Sequence, residues 1–253
     1  MIQKNQIPTD RLLQKLDDYL SKNDYSAAKR HLLYWLNEAK LACDEKNVLL
    51  LNNELMGLCR KLGEKEQALA FAQNAIGQIE KMNIENNIGA ATTYLNSATV
   101  YKAFGMAQNA ISLFEKAKII YEENLMPTDD RLAGLYNNMA LALVDLKRFD
   151  EADSLYKKAI SVLQNSLDKR PEQAITYLNM ATAAEMQYGL QEAEKIIDGH
   201  IQKAMELLNS CKNQTDGNYA FVCEKCSTVF GYYGYFDYEN QLKERYRRIY
   251  ERA

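Results

Sequence analysis

The chain of 253 residues is long enough for one large or two modest domains, and its 47% hydrophobic and 26% charged residues allow a buried core. A formal net charge of −3 argues against bulk electrostatic binding to nucleic acid or to anionic membranes. No run approaches the ~18 apolar residues of a membrane span, and the N-terminal residues lack the apolar core of a signal peptide. Five cysteines, an odd number, favour a reduced cytoplasmic protein.

The chain repeats itself. An alanine in a similar context recurs at Ala28, Ala68, Ala110, Ala152 and Ala193, at spacings of 40, 42, 42 and 41 residues. Such a period is typical of a stacked repeat architecture. The predicted units, in chain order, are residues 9–46, 47–84, 85–127, 128–170, 171–212 and 217–253, the last being a degenerate C-terminal cap. Together they predict a single array over residues 1–253.

Each unit has the pattern of two helices joined by a turn. Apolar or small residues recur at helical spacing in the first helix, as at Tyr136, Met139, Ala140 and Leu143, and again in the second helix from Ala152 onward. The turns are predicted at or near four glycines, which tolerate the backbone conformation that ends a helix: Gly63, Gly105, Gly189 and Gly234. The fold class is therefore predicted to be all-α, a solenoid of about six antiparallel helix hairpins.

The order of residues within a unit resembles the tetratricopeptide repeat. One copy reads Ala98, Tyr101, Gly105, Ala110, Phe114 and Ala117. The ordinary period of that family is 34 residues, whereas this chain repeats every 41–42 residues, about two helical turns more. Long-helix arrays of this kind are similar to kinesin light chain repeats and to bacterial peptide-sensing regulators. The resemblance implies a right-handed superhelical solenoid in a cytoplasmic, bacterial protein.

An asparagine recurs on the first helices, at Asn96, Asn138 and Asn179, and the stretch NNMA at 137–140 resembles the Asn-Asn-Leu-Ala motif of kinesin light chains. In the second unit Glu54 takes this place, after Asn53. Stacking would set these amides along one inner wall, where an amide can pair with both polar groups of a peptide backbone. The resemblance implies that they hold a peptide. The alternative is that they bond neighbouring repeats to each other.

Charged residues on the same face give the proposed groove its specificity. Basic side chains lie toward the N-terminal half and acidic ones toward the C-terminal half, which would orient a bound peptide. Arg60, Lys102 and Asn96 could clamp a terminal carboxylate, although the full clamp pattern is not recognisable. The predicted peptide-binding residues are Asn53, Arg60, Asn96, Lys102, Asn137, Asn138, Asn179 and Glu185.

Two C-terminal segments have alternative interpretations. Cys223 and Cys226 form a CxxC, but no second ligand pair accompanies it, so structural thiols are favoured over a zinc or redox site. The aromatic segment at 230–238 is interpreted mainly as packing, with self-association as the alternative. The residues considered for that contact are Tyr232, Tyr233, Tyr235 and Phe236. The sequence leaves the oligomeric state open.

The sequence has none of the glycine-rich phosphate loops, nucleophile elbows or metal-binding helices that mark common enzyme classes. We therefore predict a non-enzymatic interaction module, without cofactor or metal, that binds a peptide or extended protein segment rather than nucleic acid or membrane. The alternative is a ligand-sensing subunit of a signalling or transcription regulator whose output domain is on another chain.

Overall fold

A computed structural model describes residues 7–164 and 166–251. Over these residues the structure contains twelve α-helices, one 3-10 helix at Leu167–Lys169 and no β-strand. The α-helices are α1 (Thr9–Ser21), α2 (Tyr25–Leu41), α3 (Glu45–Lys61), α4 (Lys65–Met82), α5 (Ile88–Ala103), α6 (Ala107–Asn124), α7 (Asp130–Asp145), α8 (Phe149–Leu163), α9 (Arg170–Tyr188), α10 (Glu194–Ser210), α11 (Gly217–Tyr232) and α12 (Phe236–Tyr250). The predicted all-α class, built from consecutive helix hairpins, is confirmed.

The helices divide between two compact units, the first ending at Asn124 and the second starting at Leu125. In the first unit, α1–α2, α3–α4 and α5–α6 pair as hairpins, α2 packs on α3, α4 packs on α5, and α3 lies beside α5. In the second unit, α7–α8, α9–α10 and α11–α12 pair, α8 packs on α9, and α11 lies beside α9. The single array over residues 1–253 stays a prediction, and residues 1–6, 165 and 252–253 lie outside the described part of the chain.

Each hairpin turns on one residue with a positive φ angle. Four of the six turns have it at the predicted glycines, with φ between 73° and 85°. The other two place Asn23 (φ 55°) and Lys147 (φ 59°) there. Asparagine tolerates this conformation, whereas a lysine is strained by roughly 1–2 kcal/mol. The sequence pattern missed these two turns because glycine was its only turn signal.

The recurring small residues are the centre of the helix packing. Ala28, Ala68, Ala110, Ala152 and Ala193 are at most 1% exposed. Because their side chains are short, two helices can approach closely at these points. Larger side chains fill the remaining space, and Phe114 and Tyr156 are likewise buried. Full burial of a side chain of this size contributes about 1.5–3 kcal/mol each.

The two cysteines of the CxxC lie inside the second unit. Cys223 and Cys226 are buried in a cluster that includes Phe230 and Leu242, and both are free thiols. Burial raises the pKa of Cys223 to about 11, so the thiol is protonated and unreactive near neutral pH. Within the described residues, no group of three histidine, cysteine or acidic side chains is arranged to hold a metal ion. These observations favour the structural interpretation of the pair.

Candidate functional site

A cavity of about 320 Å³ lies on the first-helix face of the first unit, lined mainly by α1, α3 and α5. We call it the α3–α5 cavity. Of the predicted peptide-binding residues, the structure brings three to it: Asn53 and Arg60 from α3, and Asn96 from α5. Helical periodicity places Asn53, Gly57 and Arg60 along one side of α3, and this is why that helix supplies several lining residues.

The two asparagines of this cavity are hydrogen-bonded to each other. Nδ2 of Asn96 donates to Oδ1 of Asn53 over 3.1 Å. Asn53 in turn donates from Nδ2 to the backbone oxygen of Leu49 and to Oγ1 of Thr93, both over 3.0 Å. The amides therefore tie α3 to α5. Both asparagines are only partly buried, so their polar edges still reach the cavity.

The second unit repeats this pairing. Nδ2 of Asn179 on α9 donates to Oδ1 of Asn137 on α7 over 3.0 Å. The two bonds join residues that are 43 and 42 positions apart in the sequence. In each bond the acceptor, Asn53 or Asn137, directly precedes the repeat position at which the predicted row of asparagines lies. Among the described residues, Asn138 makes no hydrogen bond through its amide, and it is partly buried. Bonding between repeats, the alternative interpretation of the row, thus accounts for four of the predicted asparagines.

The basic side chains predicted for the groove are placed differently from one another. Arg60 is exposed at the end of α3 and lines the cavity. Lys61 also lines it, and its ammonium lies 4.5 Å from the centre of the Tyr25 ring. Lys102 is on α5 but does not line the cavity. Of the three residues considered for a terminal-carboxylate clamp, Arg60 and Asn96 are therefore at the cavity and Lys102 is not.

Glu54 is a cavity residue that the predicted site omitted. It occupies on α3 the repeat position that carries asparagine on α5, α7 and α9, and it lines the α3–α5 cavity. Burial raises the pKa of its carboxyl group, and the negative charge of Asp17 raises it further. The signal that could have identified Glu54 was present in the repeat register, since a carboxylate takes the place of the recurring amide at this position.

Glu185, the predicted acidic residue of the second unit, is anchored between helices. Its carboxylate on α9 accepts hydrogen bonds from the hydroxyl groups of Tyr232 (2.6 Å) and Tyr233 (2.7 Å) on α11. Glu185 and Tyr232 also line a cavity of about 420 Å³ on this face. The hydrogen bond to Glu185 raises the pKa of Tyr232. A carboxylate has further lone pairs, so Glu185 can still accept from a ligand.

The aromatic segment divides between packing and exposure. Tyr233 is partly buried, and Tyr235 donates to Asp198 over 3.0 Å while contacting the Phe230 ring edge-on. Tyr232 and Phe236 are 68% and 63% exposed. The interpretation as packing therefore fits two of the four aromatic residues, and the other two present their rings to solvent.

These features define an α-helical repeat protein made of antiparallel hairpins, with cavities on the faces of its first helices. Residues 131–197 match the model of the tetratricopeptide repeat family. The comparison with curated proteins found no match. The predicted resemblance to the tetratricopeptide repeat is confirmed over residues 131–197, and solved structures of repeat proteins share the predicted fold.

Two of those solved structures illustrate the similarity. The putative kinesin light chain TPR-like repeats of Podosopora anserina are 17% identical, with a TM-score of 0.52, over 79% of this chain and 94% of that chain. BtubC (BKLC) of P. vanneervenii is 18% identical, with a TM-score of 0.55, over 94% of this chain and 90% of that chain. At such identities the likeness establishes the fold. No helix in the described part of the chain is long and apolar enough to cross a membrane.

Proposed function

We propose that this protein is a non-enzymatic interaction module that binds an extended segment of a partner protein along the faces of its first helices. Tetratricopeptide repeat proteins generally mediate protein–protein interactions. The single observation that carries the proposal is the pair of partly buried amides, Asn53 and Asn96, at the edge of the 320 Å³ cavity.

An amide that is already paired still has capacity for a ligand. The bond to Asn53 uses one of the two N–H groups of Asn96, and an amide offers two donors and a carbonyl oxygen with two lone pairs. The remaining N–H and carbonyl match the C=O and N–H that every residue of an extended peptide presents. The pairing between repeats also fixes the rotamer of the amide, so less side-chain entropy is lost when a peptide binds.

A peptide selection tests the proposal and needs no candidate partner. A phage-displayed library of random, unstructured peptides is selected on the full chain, and the affinity of the best peptide is measured by fluorescence anisotropy. Asn96→Ala is expected to weaken that affinity about tenfold, since a net hydrogen bond is worth roughly 0.5–1.5 kcal/mol.

The matched control is Asn74→Ala, which removes an exposed amide from α4, a second helix. It should leave the affinity unchanged, and circular dichroism should show both variants folded. The proposal is wrong if no peptide is selected, or if Asn96→Ala and Asn74→Ala bind the selected peptide as tightly as the wild type does.

A further inference from the structure

Resting on the proposed function, we propose that the α3–α5 cavity selects partner segments that carry a lysine or arginine side chain, whose cation pairs with the carboxylate of Glu54. Glu54 lies outside the set of predicted peptide-binding residues.

The position of Glu54 supports a ligand-facing role. It lies on α3 between Asn53, which carries the inter-repeat amide bond, and Gly57, and all three line the cavity. Gly57 has no heavy atom within 4 Å of where a side chain would start, so the backbone beside Glu54 is uncovered. A ligand side chain can therefore approach the carboxylate from the cavity.

Glu54 makes no hydrogen bond and no ion pair with any described residue of the chain. Of the two cations that line the same cavity, Lys61 lies against the ring of Tyr25, and Arg60 is exposed to solvent. A partly buried carboxylate without a counter-charge is an unfavourable arrangement that an incoming cation improves.

The electrostatic surroundings agree with this arrangement. Burial raises the pKa of Glu54, and the negative charge of Asp17 raises it further. Both effects disfavour the isolated anion. The charge of Asp17 adds to the attraction for a cation, and partial removal from water weakens the screening of that attraction. Neither Arg60 nor Lys61 compensates the carboxylate, although both line the same cavity.

Arg60 lines the same cavity, and its positive charge would favour acidic ligand side chains, the opposite of the preference expected from Glu54. Its guanidinium is exposed to solvent at the end of α3, where water and salt screen its field. Glu54 is partly removed from water, so its charge acts more strongly on a ligand inside the cavity. We therefore expect the cavity to prefer peptides with a basic side chain at this position over peptides with an acidic one.

The experiment compares the peptides selected by matched variants of the full chain from one phage-displayed random library. The wild type and the control Glu66→Gln, which alters an exposed glutamate on α4, should both enrich lysine or arginine severalfold at one peptide position. Glu54→Gln should select peptides without this enrichment, and Glu54→Lys should enrich aspartate or glutamate instead.

A thermodynamic cycle then isolates the pair. A selected peptide and its Lys→Gln form are titrated against the wild type and against Glu54→Gln. The wild type should lose about tenfold in affinity for the altered peptide, and Glu54→Gln should lose none. An interaction that is only non-specific would give equal losses in both proteins and would overturn the inference.

The remaining outcomes separate this inference from the proposed function. Selected peptides without basic enrichment, or with the same enrichment in Glu54→Gln, overturn the role of Glu54 while peptide binding stands. Acidic enrichment in the wild type that disappears in Arg60→Gln overturns it as well. If no variant selects any peptide, the proposed function fails and this inference fails with it.

Discussion

Asparagine is an unfavourable residue inside a helix, by up to ~0.7 kcal/mol relative to alanine. The structure shows what offsets this cost at Asn53, Asn96, Asn137 and Asn179, since each takes part in an amide–amide bond between consecutive first helices. A net hydrogen bond contributes about 0.5–1.5 kcal/mol. One bond of this strength is therefore comparable with the combined helix cost of the two asparagines that it joins, before any ligand is considered.

The row of asparagines was predictable from the sequence, but their partners were not. The period of the repeat identified Asn96, Asn138 and Asn179 as equivalent. The acceptors stand one residue earlier in the preceding repeat, and that offset depends on how far neighbouring helices are displaced along their axes. A helical pattern fixes which side of a helix a residue faces and leaves this displacement undetermined.

The raised pKa of Glu54 predicts a specific dependence of stability on pH. Between its ordinary value of 4.5 and its raised value in the folded chain, the folded state binds more protons than the unfolded state. The contribution of Glu54 to the free energy of unfolding therefore decreases as the pH rises through this window. We expect Glu54→Gln to be more stable than the wild type at pH 7, and this advantage to shrink as the pH falls to 4.5.

Urea unfolding at pH 4.5, 5.5 and 7 measures this difference. Glu66→Gln, at an exposed site, serves as the control and should differ from the wild type equally at each pH. An advantage of Glu54→Gln that stays constant, or that grows toward low pH, would contradict the assignment of the raised pKa to Glu54.

Within a hairpin, the arrangement of small and large side chains decides whether two helices close on each other. The sequence pattern placed the alanines correctly, because a small residue that recurs at the repeat period identifies a point of close approach. The turns were harder to predict. A positive φ at Lys147 is not encoded by residue type, since the surrounding helices impose it on a residue that would avoid it.

Two alanines of α4 test the close approach directly. Ala68 is fully buried, and Ala70 is exposed on the same helix. Ala68→Leu is expected to lower the free energy of unfolding by roughly 1–3 kcal/mol, because the added carbons have no space in a packed interface. Ala70→Leu should change it by less than about 0.5 kcal/mol.

Chemical denaturation monitored by circular dichroism gives both values. The matched pair controls for helix propensity and for the chemical change, which are identical at the two sites. Equal effects for Ala68→Leu and Ala70→Leu would mean that close helix approach at Ala68 does not limit the packing.

At the scale of the whole molecule, the sequence predicted the succession of helix hairpins along the chain. The six hairpins of the described residues follow from periodicity and turns, since within each unit a hairpin buries its apolar face mainly against its neighbours. The separation into two compact units was not predicted. Nothing in the residue pattern marks it, because the connection at 125–130 is polar and short like the other connections.

The prediction that the hairpin of α11 and α12 caps the other repeats can be tested by removing it. Tyr219, Phe230 and Leu242 of α11 and α12 are buried in one cluster with residues of α9 and α10, including Ile201 and Leu208. Truncation after residue 212 exposes that surface to water. At about 1.5–3 kcal/mol for each large side chain, the loss approaches the 5–15 kcal/mol that stabilise a typical domain.

We therefore expect the truncated chain to lose hydrogen-exchange protection in α9 and α10, helices that it still contains. Helices α1 and α2 contribute no residue to this cluster and serve as an internal reference. Phe236→Ala, which removes only an exposed ring, is the matched control and should keep α9 and α10 protected. If truncation leaves their protection at the level of the full chain, α9 and α10 are stable without the last hairpin, and the final repeat is an addition to the fold rather than its cap.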